Sequence, residues 1–232
     1  MYREAAPPAA LTDAVRCLWW SRTDGPARIV PDGCADLMVA GDRVFVAGPD
    51  TGPWDTDLPS GTLVHGIRFR PGHAPRALGV AAAELTDQRV ELADLWGRQG
   101  RATADRLRAQ PAALADVVGA RLAREHDPVL RTLIARLDAG APRVSAALAG
   151  LPAPERTLRR RFTRAVGYGP ATYVRVARLR RAVTAAAHVP DLTTLAAVAG
   201  YADQAHLTRD CRELTGTTPR RFFARLGNRT RA

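Results

Sequence analysis

Hydrophobic and polar positions change rhythm about a third of the way along the chain. Up to about residue 70, short β-branched and aromatic runs predict strands at 15–21, 36–40, 43–47 and 62–69. Turn-forming clusters separate them: Asp24-Gly25-Pro26, Pro31-Asp32-Gly33, Gly41-Asp42, Gly48-Pro49-Asp50 and Thr51-Gly52-Pro53. That spacing suits a small antiparallel sheet or a partial barrel. From about Pro75 the period becomes helical, with short amphipathic helices predicted at 84–96, 101–108 and 111–124. His126-Asp127-Pro128 marks a boundary, because a residue before proline is pushed out of the α region. Residues 128–137 open a further helix with Val129, Leu130, Leu133, Ile134 and Leu137 on one stripe. Helices are then predicted at 144–151, 155–166, 170–187, 192–199, 204–215 and 219–226, with Asp191 and Asp203 as N-caps. The fold class is α+β, with expected domains 1–125 and 127–226.

A single pattern is written twice in the helical half. Leu158, Phe162, Gly167, Pro170 and Tyr173 recur 49 residues later as Leu207, Cys211, Gly216, Pro219 and Phe222, and Arg160 matches Arg209. A Leu and an apolar residue four apart share a helix face. The Gly ends that helix and the Pro starts the next. Two such units suggest a device that grips a repetitive polymer at two points, and double-stranded nucleic acid is the obvious candidate.

Charge supports that direction. The formal net charge is +11, and its distribution is uneven. Residues 1–142 hold 17 Arg and 18 Asp plus Glu, a net of −1, whereas residues 143–232 hold 17 Arg and 5 acids, a net of +12. A polyanion-binding half and a half with another job fit this split. The chain has no Lys, so codon bias accounts for the choice of Arg, but it does not account for the asymmetry.

In the second copy, Leu195-Ala196-x3-Gly200-Tyr201 leading into 203–215 has the layout of a helix-turn-helix: a small residue, a Gly turn, then a second helix. Over residues 144–223 the sequence resembles the AraC/XylS family of bacterial transcription regulators. The resemblance is carried by Ala196-x3-Gly200-Tyr201-x-Asp203 and Thr217-Thr218-Pro219. It implies an all-α C-terminal domain of two helix-turn-helix units, about 144–166 and 192–215, joined by a linker helix. Both second helices would enter adjacent major-groove segments. By position the DNA-facing residues would be Arg156, Arg159, Arg160 and Arg164 in the first unit, and Gln204, His206 and Arg209 in the second, with Arg212 nearer the backbone. Arg forks onto guanine and Gln onto adenine, so the chemistry is sensible. Arg175, Arg178, Arg181, Arg220 and Arg221 are better phosphate or surface candidates. The run Arg159–Arg161 cannot put all three side chains into one groove. Two departures from the family pattern stand out: the first turn reads Gly150-Leu151-Pro152-Ala153-Pro154, and Cys211 replaces the usual aromatic.

The fragments from Ile29-Val30-Pro31-Asp32-Gly33-Cys34-Ala35-Asp36-Leu37 and Gly66-Ile67-Arg68-Phe69-Arg70-Pro71-Gly72 resemble the small N-terminal domain of unknown function found ahead of such DNA-binding domains. The analogy implies a cupin-like sensor or dimerisation module with a helical connector. Asp32, Cys34 and Asp36 could line a pocket, although Pro-Asp-Gly is first of all a turn. His65 and His73 are the only His in the first 125 residues, no H-x-H appears, and there is no G-x-S-x-G, phosphate loop or G-x-G-x-x-G. No catalytic residue, metal site or cofactor is therefore expected, and the chain is not read as an enzyme. Three scattered Cys, no secretory signal and no run of about 20 apolar residues point to a cytoplasmic protein. The expected function is a sequence-specific DNA-binding transcriptional regulator, with double-stranded DNA and RNA polymerase as partners. A small-molecule effector at the N-terminal domain and a homodimer remain open. The alternatives are a non-specific DNA-binding protein, and a small-molecule enzyme or sensor domain fused to a DNA-binding tail.

Overall fold

The computed structural model describes the backbone of residues 2–229 and side chains through Ala224. Eight strands come from the first 91 residues: β1 (Tyr2–Ala5), β2 (Val15–Arg22), β3 (Ala27–Ile29), β4 (Asp36–Ala40), β5 (Arg43–Ala47), β6 (Trp54–Thr56), β7 (Leu63–Phe69) and β8 (Arg89–Glu91). Six form an antiparallel sheet in the order β1-β2-β7-β4-β5-β8, and β3 pairs with β6 beside it. Every residue of β4 is buried, because both faces of the sheet are covered. Leu37, Val39, Val46 and Ile67 face a core closed by α1 (Ala74–Leu78), α2 (Leu92–Ala109) and α3 (Leu114–Arg121). Trp19, Met38, Phe45 and Val64 form a second cluster.

Strands at 15–21, 36–40, 43–47 and 62–69 appear where the alternation places them, to within a residue. The helix expected at 84–96 does not form as one element. It begins instead as a 3-10 turn (Ala82–Glu84) and the edge strand β8, which pairs Val90 with Val46. Asp87 breaks the helical path at φ 58°, held there as its carboxylate accepts from Thr51 N and Oγ1, both at 2.7 Å. The interruption anticipated between 96 and 101 is a kink inside α2 at Gly97, φ 57°.

The two fragments singled out in this half meet across β4 and β7, and the turn reading holds. Asp32 caps its own turn by accepting from Cys34 N at 2.9 Å. Arg68 spans Asp36 at 3.1 Å and Asp32 at 3.3 Å, and Trp19 Nε1 donates to Asp36 at 2.6 Å. Gly66 lies under the Trp19 ring, where an added methyl would come within 2.3 Å of Cε2. Burial pushes the Asp36 carboxyl up, and Arg68 opposes that shift. Cys34 is 5% exposed and burial drives its thiol well above the usual range, so it is a packed core residue.

Beyond residue 126 the chain is helical: α4 (Pro128–Asp138), α5 (Val144–Leu148), α6 (Glu155–Val166), α7 (Pro170–Ala185), α8 (Leu192–Ala199), α9 (Gln204–Thr215) and α10 (Pro219–Arg229). Asp127 caps α4 by accepting from Val129 N and Leu130 N. The stripe Leu130, Leu133, Ile134 and Leu137 packs with Leu158, Phe162, Tyr173 and Val176 in one core. The end of α7 enters another, where Ala182 meets Leu195, Ala196, Ala199, Tyr201 and Leu207. A single long helix thus serves two helix pairs. No helix among the described residues is long and apolar enough to cross a membrane.

Candidate nucleic-acid interface

The sequence repeat is a repeat in space. Leu158 and Leu207 are buried at 2% and 0% exposure, as are Phe162 and Cys211 at 0% each. Gly167 and Gly216 leave their helices at φ 107° and 69°, conformations that favour glycine, and Pro170 and Pro219 start α7 and α10. Tyr173 and Phe222 return to the core. Each copy therefore buries one stripe of its second helix, α6 or α9, and turns the opposite face outward.

The starts of the helices differ between the copies. Asp191 caps α8 through Thr193 N and Thr194 N at 2.8 and 2.9 Å, and Asp203 caps α9 through His206 N at 2.6 Å. The backbone bond from Thr194 holds the Asp191 carboxyl below the usual range. The first unit has no side-chain cap on α6, which begins after Pro154, and α5 stops at Leu148 rather than at 151. Prolines at 152 and 154 restrict the backbone of that turn but offer no side-chain acceptor to the first N–H groups of α6.

On α6, Arg156, Arg160 and Arg164 stand four apart, all exposed. None of the three has an internal hydrogen bond or ion pair among the described residues. Arg159 is tied to Glu155 at 2.7 Å one turn back. Arg161 leaves the outer face altogether and pairs with Asp127, the cap of α4. On α9, Gln204, Arg209 and Arg212 are exposed. Arg209 and Arg212 have no side-chain partner among the described residues, and Gln204 accepts from Thr193 Oγ1 at 3.1 Å. His206 is half-buried: its ring meets Tyr201 edge-on at 5.1 Å and its Nε2 lies 3.8 Å from Asp210.

The linker helix uses its arginines internally. Arg175 donates to the buried Asp210 at 2.9 Å and pairs with Glu213. Arg181 donates to Ala199 O at 3.1 Å and Asp138 O at 3.3 Å, while Arg178 lies 6.0 Å from the Tyr201 ring. These side chains, expected at phosphates or on the surface, hold the second helix pair to α7. Sequence spacing offered no sign of that, because their partners are more than 15 residues away. Arg220 and Arg221 are exposed in the first turn of α10.

Two helix pairs, each showing an exposed polar helix behind a buried stripe and joined by one connecting helix, define a double helix-turn-helix module of the DNA-binding class. Residues 149–225 match the family model described as a helix-turn-helix domain, and residues 3–91 match one described as a domain of unknown function. The chain carries an AraC-type helix-turn-helix domain behind an N-terminal domain of unknown function, the make-up of a DNA-binding transcriptional regulator. Among solved structures the chain is similar to ToxT from Vibrio cholerae at 1.65 Å, with 8% identity over 90% of this chain and 98% of that one, at a TM-score of 0.51. ToxT from Vibrio cholerae O395 aligns with 8% identity over 90% and 96%, at a TM-score of 0.48. At that identity the first likeness concerns the fold alone. No curated protein matches the chain.

Proposed function

We propose that the chain is a sequence-specific transcriptional regulator whose helices α6 and α9 enter adjacent major-groove segments of one duplex. The carrying observation is the unpartnered outer face of each helix: Arg156, Arg160 and Arg164 on one, Arg209 and Arg212 beside Gln204 on the other. Unpaired guanidinium groups in rows suit a polyanion, and an α-helix fits the major groove. In this reading Arg160 and Arg209 face base edges, with Arg156 and Gln204 alongside, and Arg164 and Arg212 neutralise phosphate. Arg159 exchanges its pair with Glu155 for a phosphate, and His206 stiffens the start of α9 against Tyr201. Residues 127–226 would be the DNA-binding domain and residues 1–125 its regulatory domain, with RNA polymerase as the target of regulation.

The test uses duplexes selected from a random pool by the full chain. Affinity for the selected duplex should fall linearly with salt on logarithmic axes. Arg209→Ala should lower discrimination against single base changes by about 1–3 kcal/mol at one position. Arg160→Ala should do the same at one position of the other half-site, and Arg164→Ala should weaken selected and scrambled duplexes alike. Equal binding of selected and scrambled DNA by the wild type would refute the proposal.

A further inference from the structure

The glycines that end the two reading helices, equivalent in the repeat, both touch the N-terminal half. A methyl group added to Gly167 would lie 2.4 Å from Pro49 Cγ and 2.9 Å from Thr86 Oγ1. One added to Gly216 would lie 2.7 Å from Arg28 Nη1 and 3.5 Å from Pro53 Cγ. Thr86 Oγ1 also donates to the Gly167 carbonyl at 2.8 Å. Arg28 is aimed by a forked ion pair, its Nε and Nη2 donating to Asp55 at 2.8 and 2.7 Å. Pro49 and Pro53 lie in the one loop between β5 and β6, and four residues reach at most about 14 Å. A single loop therefore ties together the closing turns of both units. Between them, Arg180 of α7 donates to the Asp32 carbonyl at 3.2 Å.

Apart from this loop the second unit is held by α7, through Arg175 with Asp210 and small residues around Leu195, and by Cys211, Leu214 and Phe222 in the core it shares with the first unit. Units joined through side-chain packing can still tilt against one another by small angles. A further contact at the closing turn restrains that tilt, and Arg28 against Gly216 is such a contact. Every one of these contacts lies at the C-terminal turns or on α7. The outer faces bearing Arg156, Arg160 and Arg209 remain open. The N-terminal half supports the reading helices from behind and does not cover them.

We propose that the N-terminal half fixes the spacing and angle at which the two units read DNA, with Arg28 and Thr86 as positioning residues. This rests on the DNA-reading function proposed above. A change of one base pair moves a half-site about 3.4 Å along the duplex and about 35° around it. Small rocking of one unit is thus enough to change which spacing fits.

Full-length wild type and the Arg28→Ala/Thr86→Val variant are each used to select duplexes from a random pool. Each is then titrated with its selected duplex and with versions one base pair shorter or longer between the half-motifs. The wild type should select two half-motifs at one spacing and lose about tenfold in affinity when that spacing changes. The variant should select the same half-motifs, which shows that both units are folded, at two or more neighbouring spacings, with less than about a threefold difference between them. Because the readout is a ratio between spacings, the general loss of affinity from one fewer positive charge cancels. A variant that keeps the tenfold preference, or a wild type indifferent to spacing, overturns the positioning role alone. A wild type that enriches no motif overturns the DNA-reading function and the positioning role with it.

Discussion

Asp138, the last residue of α4, ties that helix to α7 at two points. Its Oδ1 accepts from the Tyr173 hydroxyl at 2.9 Å and from Arg180 Nη2 at 2.6 Å. Tyr173 is 1% exposed, and burial together with the nearby Asp138 drives its phenol well above the ordinary range. Asp138→Ala leaves that hydroxyl buried without an acceptor, which costs about 1–3 kcal/mol. The Arg180 pair is part-exposed, at 25% and 35%, so its loss adds only about 1 kcal/mol. The single change should therefore cost about 2–4 kcal/mol. Tyr173→Phe alone removes one hydrogen bond and should cost about 1 kcal/mol. In the Asp138→Ala background the same change removes an orphaned hydroxyl and should be neutral or stabilising. The cycle predicts a coupling of about 2 kcal/mol, read from urea midpoints at constant slope. Additivity within about 0.4 kcal/mol would refute the argument that the hydroxyl depends on this carboxylate.

Two further predictions concern pH and packing. Burial pushes the Asp50 carboxyl up to about 6, against the pull of Arg89, which donates to both oxygens at 2.7 and 2.8 Å. The folded chain therefore holds this proton more tightly than the unfolded chain, where Asp titrates near about 3.9. The stabilising contribution is complete below about pH 4 and is lost as pH rises through about 6. The unfolding free energy of wild type minus that of Asp50→Asn should decline across this window, and a flat difference would exclude the shift. Cys211 is fully buried with its Sγ 3.6 Å from Thr215 Oγ1 and 3.7 Å from Thr217 O. Cys211→Phe, which copies the first unit's residue into the second, should overpack and cost about 1–3 kcal/mol. A thermal midpoint unchanged by that substitution would show that the second unit has room for the aromatic after all.

The helical half was legible almost to the residue because its signals are local. Caps at Asp191 and Asp203, glycines at 167, 200 and 216, and prolines at 170 and 219 each fix an end, so α6, α8 and α9 fall where expected. The sheet was less legible at its edges. Strands β1, β3, β6 and β8 run three or four residues, too short for alternation to register, and they exist because a neighbouring strand supplies their hydrogen bonds. Asp36 and Arg68, 32 positions apart, become neighbours only through the β4–β7 register. The contacts of Thr86 with Gly167 and of Arg180 with Asp32 are longer-range still.

The candidate interface shows the same division within single helices. The repeated positions are core positions, so the repeat predicts where α6 and α9 lie and is silent on what they present. Shifting by 49 residues aligns Arg156, Arg160 and Arg164 with Ala205, Arg209 and Glu213, and only the middle pair agrees. Neighbours in the sequence diverge further once folded. Arg161 and its equivalent Asp210 both turn inward, one to Asp127 and the other to Arg175, so opposite charges perform the same anchoring in the two units. A three-arginine run in the sequence is thus one side chain tied to Glu155, one open to solvent and one structural. The first unit presents three open arginines and the second an Ala/Arg/Glu row whose Glu213 is engaged by Arg175. If DNA is the ligand, the extra charge of the first row adds affinity on any sequence, while the arginine that the two rows share, Arg160 or Arg209, serves each unit's reading.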